Sequence, residues 1–103
     1  MVKSNHLILI VAACDGNVAI MKQYLSSDDP MVNFTITPDS QTALWFACRF
    51  GHDEIVKLLI ECKDIDVNKH CKLHGSPLYV ACKHGYPKVV ALLLTSKTID
   101  VNT

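Results

Sequence analysis

Two stretches of the chain carry the same order of apolar and polar residues. Residues 42–68 align with residues 76–102 without a gap, at an offset of 34 positions. Each stretch places Leu and Ala at helical spacing over about two turns, then a glycine, then a denser apolar run. A third, weaker copy surrounds Gly16. A constant spacing of this size predicts stacked units that bury their apolar residues against one another.

Each unit is predicted to contain two helices joined at a glycine. The hydroxyls of Thr42 and Ser76 can cap a helix start, and Pro77 suits the first helical position. Gly51 and Gly85 can adopt the left-handed backbone conformation that ends this helix. A second helix is expected to begin directly afterwards, with apolar residues on nearly all sides because it packs between two units.

These residues resemble the ankyrin repeat, a pattern running from Thr-Pro-Leu-His to Ala-Asp-Val-Asn. The matching segments are TALW at 42–45, SPLY at 76–79, and IDVN at 65–68 and 99–102. Trp45 and Tyr79 replace the family's His, and His74 occupies the usual hairpin glycine. The resemblance implies an all-α solenoid of helix-turn-helix units joined by hairpin-like loops. We expect one domain over residues 1–103, with repeats at about 4–36, 37–70 and 71–103.

The resemblance implies a function in binding other proteins, through the hairpin tips and the concave face of the first helices, without catalytic residues. Arg49 and Phe50 stand out because Arg and aromatic residues dominate interface hot spots. Trp45 suits a packed position between helices equally well. The predicted protein-binding residues are Asp15, Thr35, Pro38, Asp39, Gln41, Trp45, Arg49, Phe50, His70, Lys72, Leu73, Tyr79, Lys83 and His84.

Charge narrows the choice of partner. Lys and Arg total 10, Asp and Glu total 10, and no basic run occurs. Nucleic acid is therefore excluded as the main partner, because phosphate binding needs a surplus of positive charge. Arg49, Lys72 and Lys83 outnumber Asp15 and Asp39 among the predicted binding residues. We expect a partner protein with an acidic surface.

The five cysteines, an odd number without a CxxC pair, predict a reducing compartment, the cytoplasm or alternatively the nucleus. Cys48 and Cys82 match a buried small-residue position of the repeat, so both are expected to be buried. A zinc or redox site of an exposed Cys71 with His70 and His74 is an alternative that lacks the usual ligand spacing. The glycines stand singly, without a phosphate loop. We expect no enzyme activity, cofactor or metal.

Both ends of the repeat pattern are apolar where stacked repeats usually carry polar caps. Leu7 and Val11 lie on one stripe of the first predicted helix, and residues 89–94 are all apolar. This favours part of a longer array in which a further unit covers the third. One alternative is a homo-oligomer formed through these ends, and another is a structural spacer or capping segment of a larger protein. No run approaches the ~20 apolar residues of a membrane helix.

Overall fold

A computed structural model of the protein describes residues 2–27, 30–36, 41–69, 71 and 74–96. Within these residues the chain forms three helix pairs in two layers. The first helices of the pairs contact one another in one layer, and the second helices do so in the other. This arrangement confirms the predicted all-α repeat solenoid. The helices are α1 Val2–Asp15, α2 Val18–Leu25, α3 Ala43–Phe50, α4 Asp53–Ile60, α5 Pro77–Lys83 and α6 Pro87–Leu94.

Side-chain caps begin three of these helices. Asn17, Thr42 and Ser76 each accept a hydrogen bond, 3.1 Å long, from the backbone N–H three residues further on. The hydroxyls of Thr42 and Ser76 lie in the buried part of the molecule, where an unsatisfied polar group would be costly. Pro77 and Pro87 occupy the first turns of α5 and α6, as predicted. Local sequence therefore sets where the helices start.

Two glycines serve both as helix ends and as contact points between repeats. Gly16 and Gly51 have φ angles of 72° and 73°, in the left-handed region that side chains disfavour. A Cβ on Gly16 would lie 2.7 Å from Nδ1 of His52, and a Cβ on Gly51 would lie 2.6 Å from Cε1 of Tyr86. His52 Nε2 also lies 2.9 Å from the Cys14 carbonyl oxygen. Each glycine thus leaves room for a ring from the following repeat.

The described parts of the connections between helix pairs make specific backbone contacts. Strands β1 (Thr35–Ile36) and β2 (Gln41–Thr42) pair antiparallel between the first and second helix pairs. Asn33, in the connection between α2 and α3, binds the connection between α4 and α5. Its Nδ2 donates to the Asp64 carbonyl and its Oδ1 accepts from the Asp66 N–H, both at 2.7 Å. These bonds hold consecutive repeats in a fixed stacking register.

The core lies between the two helix layers and is densest at the middle pair. Buried residues of this pair include Leu44, Ala47, Ile55 and Leu59, each completely buried. Burial of a large aliphatic side chain of this kind contributes roughly 1.5–3 kcal/mol. Residues of the middle pair are buried most completely because its helix α3 packs against both α1 and α5. No helix of the described chain is both long and apolar enough to cross a bilayer.

Cys82 departs from the expected burial. Cys48 is completely buried, whereas Cys82 at the equivalent position of the next repeat is exposed. Helix α5 covers the surface of α3 on which Cys48 lies, but no described element covers the corresponding surface of α5. The prediction of a buried Cys82 is therefore wrong, because burial at this position requires a following repeat and not only the right residue type.

Candidate protein-binding site

A groove between α3 and α5 brings together most of the predicted concave-face residues. It encloses about 230 Å³. Trp45 and Arg49 come from α3 at helical i, i+4 spacing, and Tyr79 and Lys83 come from α5 with the same spacing, so each pair shares one helix face. We call this surface the basic groove. It is lined by Trp45, Arg49, His74, Tyr79, Val80, Lys83 and His84.

Trp45 is the buried member of the basic groove. Only 5% of its surface is exposed, and its ring packs edge-on against Phe46 with a centroid distance of 5.2 Å. The ring of His74 lies 5.9 Å away, centroid to centroid. Most of the Trp45 ring is therefore packed between helices, as one of the two interpretations of its sequence position predicted. Its indole Nε1–H is also buried and has no acceptor among the described residues. An unsatisfied buried donor costs about 1–3 kcal/mol.

Positive charge in the basic groove is not neutralised by the described residues around it. Arg49 and Lys83 approach the groove from two helices, and none of the described residues that line it is acidic. Within the described part of the chain, neither cation forms an ion pair with a carboxylate. Desolvation, and then the charges of Arg49 and Lys83, lower the pKa of His84 below its usual value. The groove thus combines two cations that form no described ion pair with a nearby imidazole whose pKa they help to lower.

Exposed aromatic rings border these cations. Phe50 is 44% exposed, and the Arg49 guanidinium carbon lies 5.2 Å from the centroid of its ring, within cation–π range. Tyr79 is 51% exposed on the opposite helix. The expectation that Phe50 lies outside the core is confirmed. Rings and Arg side chains of this kind are the residue types that contribute most to protein–protein interfaces.

Three of the other predicted binding residues are described and lie outside the basic groove, and the rest are not described. Asp15 is exposed at the end of α1 but does not line the basic groove. Thr35 and Gln41 are half-buried in the hairpin and flank its tip. The remaining predicted residues lie outside the described part of the chain; they are Pro38, Asp39, His70, Lys72 and Leu73.

Sequence reasoning missed two residues of the basic groove, His74 and Val80. His74 precedes the Ser76 cap by two residues, and its position depends on how the connection folds back onto α5. Val80 is buried and adjoins Tyr79. Helical spacing from Tyr79 and Lys83 signals Val80 as a neighbour, but no local signal in the sequence distinguishes His74.

The five cysteines differ in burial and form no metal-binding cluster with other described residues. Cys71 is buried in the core cluster, and its backbone pairs with Gly75 through N–H···O bonds of 2.9 and 3.3 Å, so the prediction of an exposed Cys71 is wrong. Burial raises the pKa values of Cys14, Cys48 and Cys62, and the charges of Asp15 and Glu61 add to the effect at Cys14 and Cys62, which favours the protonated thiol over the thiolate. No cluster of three potential metal ligands occurs among the described residues; His70 lies outside them.

A second surface of interest lies at the outer side of the first helix pair. Leu7 and Val11 of α1 are 50% and 55% exposed, and Ile8 and Ile20 also reach the surface. They border a shallow cavity of about 340 Å³ with Ala12, Asp15 and Asn17. We call it the apolar face. Exposed apolar patches of this kind are typical of contact sites.

Comparison with known protein families matches residues 9–103 to ankyrin repeats in three copies. The match covers most of the chain, and the chain belongs to the ankyrin-repeat family. Ankyrin repeats are generally protein–protein interaction modules and are typically non-enzymatic.

A solved structure supports the same fold. The crystal structure of the human ASB11 ankyrin repeat domain superimposes with a TM-score of 0.77 and is 29% identical in sequence. The similarity covers 86% of this chain and 39% of that chain, so the protein spans well under half the length of this structural relative. The search of curated proteins found no match.

Proposed function

We propose that this protein binds a partner protein through the basic groove, the adjoining Phe50 and the hairpin tips, without carrying out chemistry of its own. One observation supports this most strongly: two cations without a described carboxylate line the groove with the exposed Tyr79 ring, and the exposed Phe50 ring lies beside one of them, Arg49. The buried Trp45 gives that face a rigid base, and rigid preorganised surfaces lose less entropy on binding.

The proposed partner carries an acidic surface, because Arg49 and Lys83 face the groove and no described carboxylate lines it with them. Opposite charge on the partner would raise the association rate and fix the orientation of the complex. The described hairpin residues Thr35 and Gln41 would contribute polar contacts at the edge. We also place the protein in a reducing compartment such as the cytosol, since Cys14, Cys48, Cys62 and Cys82 form no disulfide within the described structure.

Capture experiments with matched variants test this function. The protein is immobilised, partners are captured from cell extract and identified by cross-linking and mass spectrometry. Arg49→Ala and Phe50→Ala are expected to reduce capture of the same partner by about tenfold or more, because truncation of an interface hot spot typically costs 2 kcal/mol or more. Lys57→Ala, on the exposed side of α4, is the control. Equal capture by all variants with unchanged circular dichroism would contradict the proposal.

The apolar face supports a second candidate function, self-association. Leu7, Ile8 and Val11 are all substantially exposed on one helix, and a copy of the same face could cover them. Light scattering after size-exclusion chromatography tests this. A dimer that Val11→Asp converts into a monomer would support self-association, whereas a monomer at every concentration up to about millimolar would exclude it.

A further inference from the structure

The basic groove has the chemistry of an anion site of limited size. Its volume of about 230 Å³ lies below the roughly 300–1,000 Å³ typical of small-molecule pockets. It accommodates a side chain better than a free cofactor. Two cations reach it from different helices, so they can approach one carboxylate from two sides.

The balanced charge of the whole chain argues against a polyanion as the ligand of the basic groove. Ten basic and ten acidic residues give a formal net charge of zero, so a nucleic acid or an anionic membrane gains no long-range attraction. The positive charge is instead local to the groove, where Arg49 and Lys83 have no carboxylate beside them among the described lining residues. Local charge of this kind suits one or two acidic residues on a peptide.

Trp45 adds an independent observation that points to a ligand. Its side chain is more than nine-tenths buried, it borders the basic groove, and its Nε1–H lacks an acceptor among the described residues. The exposed side chains of His74 and Tyr79 border the same groove. A shift of the exposed Tyr79 ring would give an entering oxygen atom a route to the indole donor. A carboxylate offers several acceptor sites and can accept from the indole while it pairs with the cations.

We propose that the basic groove binds an Asp or Glu side chain of an extended peptide segment of the partner, held between Arg49 and Lys83 beside the Trp45 indole. A neighbouring apolar residue of the same peptide packs on Phe50, whose exposed ring lies under the Arg49 guanidinium. This inference rests on the proposed protein-binding function and names the chemical class that the groove recognises.

Selection from a random peptide library tests the recognition directly. Phage-displayed peptides are selected on the wild-type protein after depletion on the Arg49→Gln/Lys83→Gln double variant. We expect enrichment of Asp or Glu at one position, next to an apolar residue. A selected set without acidic enrichment, or a selection that yields no binders, overturns the proposal.

The selected peptide, labelled with fluorescein, then gives affinities by anisotropy. Arg49→Gln and Lys83→Gln are each expected to weaken binding by about tenfold, because each removes a charge-assisted bond. Lys88→Gln, an exposed position on α6 outside the groove, is the matched control and should change affinity less than about twofold. Equal losses in all three variants would overturn the groove as the site. Replacing the selected acid by phosphoserine should not strengthen binding, and a gain of about tenfold would assign the groove to phosphopeptides instead.

Trp45 supplies a direct signal in the unmodified protein. The chain contains a single Trp, so its indole N–H gives one resonance in a ¹H–¹⁵N correlation spectrum. Peptide binding is expected to shift this resonance downfield, and the matching Gln peptide should not. An unshifted resonance at saturation would overturn the role of Trp45. If Arg49→Ala and Phe50→Ala abolish partner capture while selected peptides lack acids, this inference fails and the protein-binding function stands.

Discussion

The second and third helix pairs have nearly the same sequence pattern but different surroundings. Cys48 is buried and Cys82 is exposed; Trp45 is 5% exposed and Tyr79 is 51% exposed. The ring of Tyr86 covers Gly51, whereas nothing described lies within 4 Å of a Cβ placed on Gly85. Equivalent positions in successive repeats thus face the same direction. The next repeat determines whether the residue at such a position is buried.

The largest expected difference between the two pairs concerns the aromatic residues at the start of α3 and α5. Trp45→Ala should lower the free energy of unfolding by about 3–5 kcal/mol, because it removes a large buried ring and leaves a cavity. Tyr79→Ala should cost about 1 kcal/mol or less, since half of its surface is exposed. Urea denaturation followed by circular dichroism measures both. Similar losses for the two variants would contradict the comparison.

The glycines after α3 and α5 are expected to differ less. Both have positive φ, so alanine at either site pays about 1–2 kcal/mol for the left-handed conformation. Gly51→Ala also forces its Cβ against the Tyr86 ring, and crowding of this kind adds about 1–3 kcal/mol. Thermal unfolding of Gly51→Ala and Gly85→Ala should therefore give the larger drop for Gly51. If the two glycine variants lose equal stability in a Tyr86→Ala background, the Tyr86 ring is the cause of the difference.

The cysteine pair gives the smallest difference in stability. Cys48→Ser buries a hydroxyl group in an apolar site and should cost about 1–3 kcal/mol. Cys82→Ser should change stability by less than about 0.5 kcal/mol, because Cys82 is exposed. A thiol reagent provides the second readout: Cys82 should react in the native protein, whereas Cys48 should react only after unfolding because burial raises the pKa of its thiol. Rapid native labelling of Cys48 would contradict the described packing.

Features that depend on a few neighbouring residues could be predicted from the sequence. Thr42, Ser76 and Gly51 have side-chain or backbone preferences that set helix ends within one turn, and all three act as predicted. The exposure of Phe50 also followed from one unusual apolar residue before a glycine. The periodic pattern then determined the stacking of the helix pairs.

Features that depend on distant parts of the chain could not be predicted. Cys71 lies in the core cluster and its backbone pairs with Gly75, and nothing in residue type signals either contact. Cys82 is exposed because no described element packs on its side of α5. His74 enters the basic groove through the path of a connection. The roles of the binding residues themselves, and the boundaries of the three repeats, stay predictions.

The measurement that tests the central claim most directly compares two charge-matched double variants. Arg49→Ala/Lys83→Ala removes both cations of the basic groove, and Lys57→Ala/Lys88→Ala removes two exposed cations of α4 and α6. Both lower the net charge equally, so a general electrostatic effect would weaken both alike. Affinity for the captured partner should fall by at least about tenfold in the groove variant and stay within about twofold in the other. Equal losses, or no loss in the groove variant, would contradict the account.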